Sequence, residues 1–486
     1  MNLVVVSNRV ARGAANEPMT GGLAAALLPV VEKSGAIWVG SSGRVRDTTQ
    51  KEPFAEVEAL GTGALALLDL PAAHYAGFYE GFANSALWPA LHSRSDLIRA
   101  SQDDYRSYRE VNAFMARALL RFLKKDTVFW VQDYHFLALG AELRELGVTE
   151  PIGFFLHTPW PGRDIIEGVP RHRELVEAML AYDLIGFQTE EDYANFAGYL
   201  RSVPALKLHD DVAFSRHGRT RLAVFPIGID AEKFASAAAK AITHPDVSRL
   251  RRSLNGEKLA IGVDRLDYSK GLINRIAAFD RMWEQEPSLL RTVSLLQIAT
   301  PSRGGIEAYG KLQSELAKLV GEVNGRHGEV DWTPIRYLNR GFGQAVLAGL
   351  YRSAQVGVVT PLQDGMNLVA KEYVAAQNPV DPGVLVLSKF AGAANELDAA
   401  LLINPHDIDG MAQTIARALA MSLAERRMRY HAMMEKLRGH GIQQWFADFI
   451  DALQACQIDR DSPGAHTSGA VTLRSVRSIH GGARYH

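Results

Sequence analysis

The stretch VGVVTPLQDGMNLVAKEYVAA (356–376) passes from an apolar run through a polar loop containing a glycine into a helical pattern. Asp364 stands at the mouth of that helix, and Glu372 follows eight residues later. The same succession recurs along the chain. LVVV (3–6) leads into Ser7-Asn8-Arg9, TVFWV (127–131) into Gln132-Asp133-Tyr134-His135, and IGFFL (152–156) into His157-Thr158-Pro159. LAIGV (259–263) leads into Asp264-Arg265-Leu266-Asp267, and VSLLQIA (293–299) into Thr300-Pro301-Ser302-Arg303. LIGF (184–187), LAVFPI (222–227) and VLVL (384–387) are further apolar runs. Such runs are near-continuous rather than alternating, as in strands buried on both faces of a parallel sheet. Helical patterns such as 109–125 and 424–438 lie between them. The expected fold class is α/β with doubly wound sheets.

The strands fall into two sets, one ending near Asp230 and the other opening near Lys258. At 486 residues the chain exceeds one ordinary core, so two domains are expected. They are placed at 1–235 and 236–456, the last helix (441–456) packing back on the first domain, with a disordered tail over 457–486 that is rich in Ser, Gly, Arg and His. Apolar residues make up 47% and charged residues 22%, with a formal net charge of −1. No global field therefore recruits nucleic acid or an anionic membrane. Cys456 is the single cysteine, so no intrachain disulfide forms. The N-terminal MNLVVVSNRV reads as a buried strand rather than a leader, and no run approaches the ~18 residues of a membrane span. The expected location is cytoplasmic.

In open α/β sheets the ligand crevice lies beyond the carboxyl ends of the strands. Six strands from both halves aim polar side chains at such edges, and two facing sheets bring all six to one cleft. Taken singly each has an ordinary reading. Asp133 or Asp364 could cap a helix, His157 could sit satisfied in a turn, and Arg9 or Arg303 could form surface ion pairs. Trp88 in LWPALH could be core. Gly21-Gly22, before a helix, would let backbone N–H groups approach an anion, or could begin the helix for steric reasons. The helix start Gly365-Met366-Asn367-Leu368 carries unpaired N–H groups and a positive dipole end. With Arg265 and Lys270 it would hold a diphosphate; otherwise those cations pair with Asp264 and Asp267 in a solvated loop. Asp364 and Glu372 would then accept hydrogen bonds from hydroxyls on either side, a sugar and a ribose. This describes a nucleotide-sugar site and leaves the nucleotide base open. There is no GxxxxGK[ST], GxSxG, HExxH or paired CxxC, and no metal or other cofactor is expected.

Together VVVSNR, GGLA, LWPALH, DYH, GFFLHTPWP, GFQT, FPIGID, VDRLDYSKGL, TPSRG and DGMNLVAKEYVAAQ resemble the trehalose-6-phosphate synthases over about residues 1–455. These are retaining glycosyltransferases with the GT-B fold, two facing Rossmann-like domains around a cleft. The resemblance implies transfer of glucose from UDP-glucose to glucose 6-phosphate, giving trehalose 6-phosphate and UDP, in a role tied to osmotic stress, by a homodimer or homotetramer. It implies that Arg9, Tyr79, Trp88, Asp133 and Arg303 bind the acceptor. It implies that Gly21, Gly22, His157, Arg265, Lys270, Phe342, Asp364, Gly365, Met366, Asn367, Leu368, Val369 and Glu372 bind the donor. Asp133, His157, Arg265, Lys270 and Asp364 are the residues it assigns to the chemistry. In IWVGSSGR, Ser41 stands where many members carry a second tryptophan beside the acceptor, and Thr158 is another local variation. The competing readings are a sister transferase acting on glycerol 3-phosphate (a glucosylglycerol-phosphate synthase), a sugar-phosphate sensor without turnover, and a nucleotide-sugar epimerase.

Overall fold

The computed structural model describes residues 1–10, 22–47 and 55–461, the side chains at 22–26, 55 and 458–461 excepted. Gly21 and most of the expected tail lie outside the described residues. The first sheet holds β1 (Asn2–Arg9), β2 (Ile37–Arg46), β3 (Ala55–Leu60), β4 (Gly63–Pro71) and β5 (Thr127–Gln132). It is completed by β6 (Ile152–Phe155), β7 (Leu184–Phe187), β8 (Lys207–His209), β9 (Val212–Ser215) and β10 (Gly218–Val224). The second holds β11 (Lys258–Arg265), β12 (Val293–Thr300), β13 (Ile335–Leu338), β14 (Val356–Val359), β15 (Val384–Ser388) and β16 (Leu401–Ile403).

The second sheet is wholly parallel in the order β13-β12-β11-β14-β15-β16. The first carries the same order in its parallel part, β4-β2-β1-β5-β6-β7-β10, with antiparallel β3 at one edge and β9-β8 at the other. In both, the chain first winds to one side of its opening strand and then to the other. The crevice forms where that order reverses, between β1 and β5 and between β11 and β14. Arg9, Asp133 and Arg265 end or follow three of those four strands, and the loop from Thr360 to Asp364 follows the fourth.

The crossing between sheets runs through the helix Ala231–Ala241, which spans the border expected at 235/236 and packs on helices Gln344–Ser353 and Leu368–Ala376. The helix Ile442–Asp461 then returns to the first sheet. Its Phe449 is fully buried, with ring centroids 5.1 Å from Trp130, 5.8 Å from Phe155 and 5.2 Å from Phe225. Trp445 packs 4.9 Å from Trp130. Gly153 makes room for it: a Cβ there would lie 2.7 Å from the Phe449 ring. The helix extends five residues past the expected boundary at 456. No helix among the described residues is long and apolar enough to cross a membrane.

Truncating a buried Phe removes its transfer energy and leaves a cavity, together about 3–5 kcal/mol. Phe449→Ala is therefore expected to lower the urea midpoint of the first sheet, followed by tryptophan fluorescence. An unchanged midpoint would mean that the terminal helix does not clamp this sheet.

Candidate active site

The acceptor-side candidates meet across the cleft. Arg9, at the end of β1, and Arg303, after β12, line one pocket of about 190 Å³ with Ser41, Tyr75, Tyr79 and Glu80. Tyr79 is carried by a π-helical stretch, Ala76–Leu87, and stacks on Tyr75 with centroids 5.5 Å apart. Ser41 is buried, and its Oγ accepts the Gly43 N–H at 3.0 Å. Trp88 is nearly buried and does not line this pocket; its ring lies 3.8 Å from the Arg303 guanidinium carbon and 5.1 Å from that of Arg265. Both guanidiniums thus lie over the face of this ring, where an aromatic attracts a cation.

Arg303 is held by a residue the sequence reading treated only as a loop partner. Its Nη1 donates to Asp267 Oδ2 at 2.7 Å and to the Tyr309 hydroxyl at 2.8 Å, and its Nη2 donates to the Tyr134 hydroxyl of the opposite half at 3.2 Å. Asp267 is fully buried. Its Oδ1 also accepts the Ser269 N–H at 3.0 Å and Trp88 Nε1–H at 3.4 Å. Burial opposes ionisation of Asp267, but Arg303 and Arg265 outweigh it and hold the carboxyl well below the usual range.

On the donor side, Lys270 Nζ lies 2.6 Å from Asp364 Oδ2. Asp364 also accepts the Gly365 N–H at 3.0 Å and Asn367 Nδ2–H at 2.8 Å. Burial raises its pKa, and the stronger pull of Lys270 lowers it overall. The cation and the acid expected to serve diphosphate and sugar thus neutralise each other. The helix starts at Leu368 and is capped by Asn367, whose Oδ1 accepts the Ala370 N–H at 3.2 Å. The N–H groups of Leu368 and Val369, in the first turn, have no intrahelical partner. A Cβ at Gly365 would overlap the His157 carbonyl oxygen, so this turn seats directly on the first half. Glu372 is joined by Gln344, two residues beyond Phe342, and burial pushes its carboxyl up to about 7.

His157 is held by two glutamines. Its Nε2 lies 2.9 Å from Gln132 Oε1 and its Nδ1 lies 3.4 Å from Gln188 Nε2. Burial lowers its pKa to about 3, so the ring is neutral. The Nε2 contact is short and the Nδ1 contact long, so the ring is held firmly on one nitrogen and loosely on the other. Asp133 occupies φ 72°, ψ 167°, a region populated almost only by glycine. Its Oδ1 accepts the His157 N–H at 3.3 Å. Burial raises its carboxyl to about 6 against the pull of two N–H donors and of Arg265 and Arg303. Among the described residues no cluster of three or more His, Cys, Asp and Glu side chains is arranged to hold a metal ion.

Residues 4–455 match the model of glycosyltransferase family 20. The chain belongs to that family. A trehalose-6-phosphate synthase of Sinorhizobium fredii is 46% identical over 456 residues, covering 93% of this chain and 98% of that relative. An α,α-trehalose-phosphate synthase (UDP-forming) from Burkholderia xenovorans, solved in complex with glucose-6-phosphate, superposes with a TM-score of 0.89 at 44% identity, covering 93% of this chain and 100% of that one. An E. coli structure bound with UDP-2-fluoro glucose gives a TM-score of 0.88 at 40% identity, covering 93% and 99%. The transferase therefore has the GT-B fold.

Sequence reasoning found the strand ends and missed their supports. Asp267, Tyr134 and Tyr309 around Arg303, and Gln132 and Gln188 around His157, were assigned no part. Asp267 carried a signal, being an acid two residues after Arg265 in the same polar turn. Gln132 at a strand end and Gln188 in GFQT were also marked, but neither position by itself shows that both meet the ring of His157.

The Asp133 backbone stores about 1–3 kcal/mol. Asp133→Gly removes both the strain and the buried charge, so it is expected to stabilise the transferase by about that amount below pH 4 and by more above pH 6, while lowering turnover. Asp133→Asn keeps the strain and removes the buried charge. Ionising Asp133 is harder folded than unfolded, so native stability falls as pH rises from about 4 to about 6. The gain from Asn is accordingly expected above pH 6 and absent below 4. Denaturant melts at pH 3.5 and 7.5 separate the two; a Gly variant less stable than the parent would remove the strain argument.

Proposed function

We propose that this transferase moves glucose from UDP-glucose to glucose 6-phosphate with retention, giving α,α-trehalose 6-phosphate and UDP. The observation that carries the reading is the pairing of Arg9 and Arg303, from facing halves, in one pocket. Across the cleft stand Lys270, Asp364 and an amide-bearing helix start. Two anion-binding sites on one cleft suit a phosphorylated acceptor and a diphosphate donor. The relatives' stated ligands, glucose-6-phosphate and UDP-2-fluoro glucose, support the same pair.

In this reading the diphosphate takes Lys270 from Asp364, with Arg265 as the second cation. Asp364 is released to the glucose hydroxyls, and Glu372 meets the ribose. The bond from glucose C1 to the diphosphate oxygen breaks. That oxygen takes the acceptor hydroxyl proton, and the acceptor oxygen bonds C1 from the same face. The protein positions both partners and stabilises the departing charge. We propose that this requires no metal, and that the transferase works as a homodimer or homotetramer in the cytoplasm, where a lone cysteine is at home. Ser41 on the acceptor pocket keeps one alternative, glycerol 3-phosphate as acceptor.

Product identification with UDP-, GDP- and ADP-glucose against glucose 6-phosphate and glycerol 3-phosphate decides the pair. Arg265→Ala and Lys270→Ala are each expected to lower kcat about 10²–10³-fold, as for other lost donors to a developing anion. Near-parent kcat in both would sink the diphosphate role. Arg9→Ala is expected to raise KM for glucose 6-phosphate while sparing free glucose as acceptor. Equal losses on both acceptors would rule out a phosphate grip.

A further inference from the structure

The motifs GFQT and FPIGID have no part in the mechanism so far, yet they meet behind His157. Lys371, one residue before Glu372 on the donor helix, is fully buried. Its Nζ lies 2.7 Å from Glu396 Oε1 and donates at 2.7 Å to the Ile227 carbonyl of the opposite half. The Ile227 N–H donates at 3.0 Å to Gln188 Oε1. Gln188 Nε2 reaches His157 Nδ1, whose ring Nε2 reaches Gln132 Oε1, and Gln132 Nε2 lies 3.5 Å from the Trp130 carbonyl. Gln132 and Gln188 are both buried.

The ends of this chain fix its direction. A backbone N–H can only donate and a carbonyl can only accept. With Ile227 N–H on its oxygen, the Gln188 amide presents its NH₂ to the imidazole. With Trp130 C=O on its nitrogen, the Gln132 amide presents its oxygen. The neutral ring then carries its proton on Nε2 and a lone pair on Nδ1. Gln188 holds that lone pair by a long contact of 3.4 Å, which an incoming hydroxyl displaces when it donates to Nδ1. A buried ammonium is costly unless fully bonded, and an apolar side chain would fill the Lys371 site without that cost. Its two acceptors tie the donor helix to the segment that sets the ring.

Resting on the donor assignment proposed above, we infer that Gln188 and Lys371 are positioning residues. Gln188 sets the tautomer of His157 so that Nδ1 accepts a donor-sugar hydroxyl, and Lys371 locks that arrangement to the helix that binds the nucleotide.

Gln188→Glu keeps the acceptor for Ile227 and deletes the donor to Nδ1. Lys371→Met, with Lys371→Met/Glu396→Gln as the variant that leaves no unpaired acid, cuts the tie between halves. Losing one buried partner is expected to raise KM for UDP-glucose about tenfold or more, with KM for glucose 6-phosphate within about twofold of the parent. Side-chain ¹⁵N spectra of histidine-labelled protein are expected to show His157 as the Nε2–H tautomer in the parent and as another form in Gln188→Glu. Parent-like donor KM in Gln188→Glu and the double variant would overturn the inference. So would equal rises in both KM values with a lowered Tm, which would mean scaffolding alone. A parent inactive on UDP-glucose would instead sink the donor assignment, and the tautomer spectra would still judge Gln188.

Discussion

A carboxylate shut away from water holds the cleft together. Asp267 accepts from Arg303, Tyr309, Trp88 and the Ser269 N–H, so the acceptor cation and the turn that bears Lys270 share one anchor. Removing one partner of such a buried pair typically costs about 3–5 kcal/mol, because the other charge stays buried and unpaired. Arg303 in turn reaches Tyr134 across the cleft and lies over Trp88, which joins the halves on the acceptor side. The shape of the Arg9–Arg303 pocket and the contact between halves therefore depend on the same ion pair.

The donor side follows a different logic. Lys270 and Asp364 neutralise each other, and Asn367 and Asp364 occupy two of the nearby donors. In the proposed reaction a diphosphate offers Lys270 a doubly charged partner and frees Asp364, exchanging one internal ion pair for contacts on both ends of the ligand. The helix dipole and the first unpaired N–H groups supply the rest. Contact between halves here is made by backbone, Gly365 against His157, and by Lys371 on the Ile227 carbonyl.

Strain marks the same place. Among non-glycine residues with positive φ, Asp133, Arg303 and Asn367 all lie on the cleft. Each follows a strand end or starts a helix, where the chain must turn sharply while pointing a polar side chain into the crevice. Sequence motifs flagged all three residues as polar at an edge, but nothing in their identity showed the backbone conformation. His157 shows the opposite failure: its position was legible, but its two ring nitrogens are engaged by glutamines from strands distant in sequence.

By itself the sequence determined the α/β class, the two sets of buried strands and the polar residues at their carboxyl ends. Apolar runs of strand length and the residues that follow them are local facts. It also carried enough family motifs to name the class of transfer. Only the tertiary structure decided that Lys270 closes on Asp364, that Asp267 anchors Arg303, and that the last helix, expected to pack back, does so by seating Phe449 over Gly153. Those pairings join residues separated by tens to hundreds of positions. Charge attraction and burial select them once both sheets have formed, and no local pattern encodes which cation meets which acid.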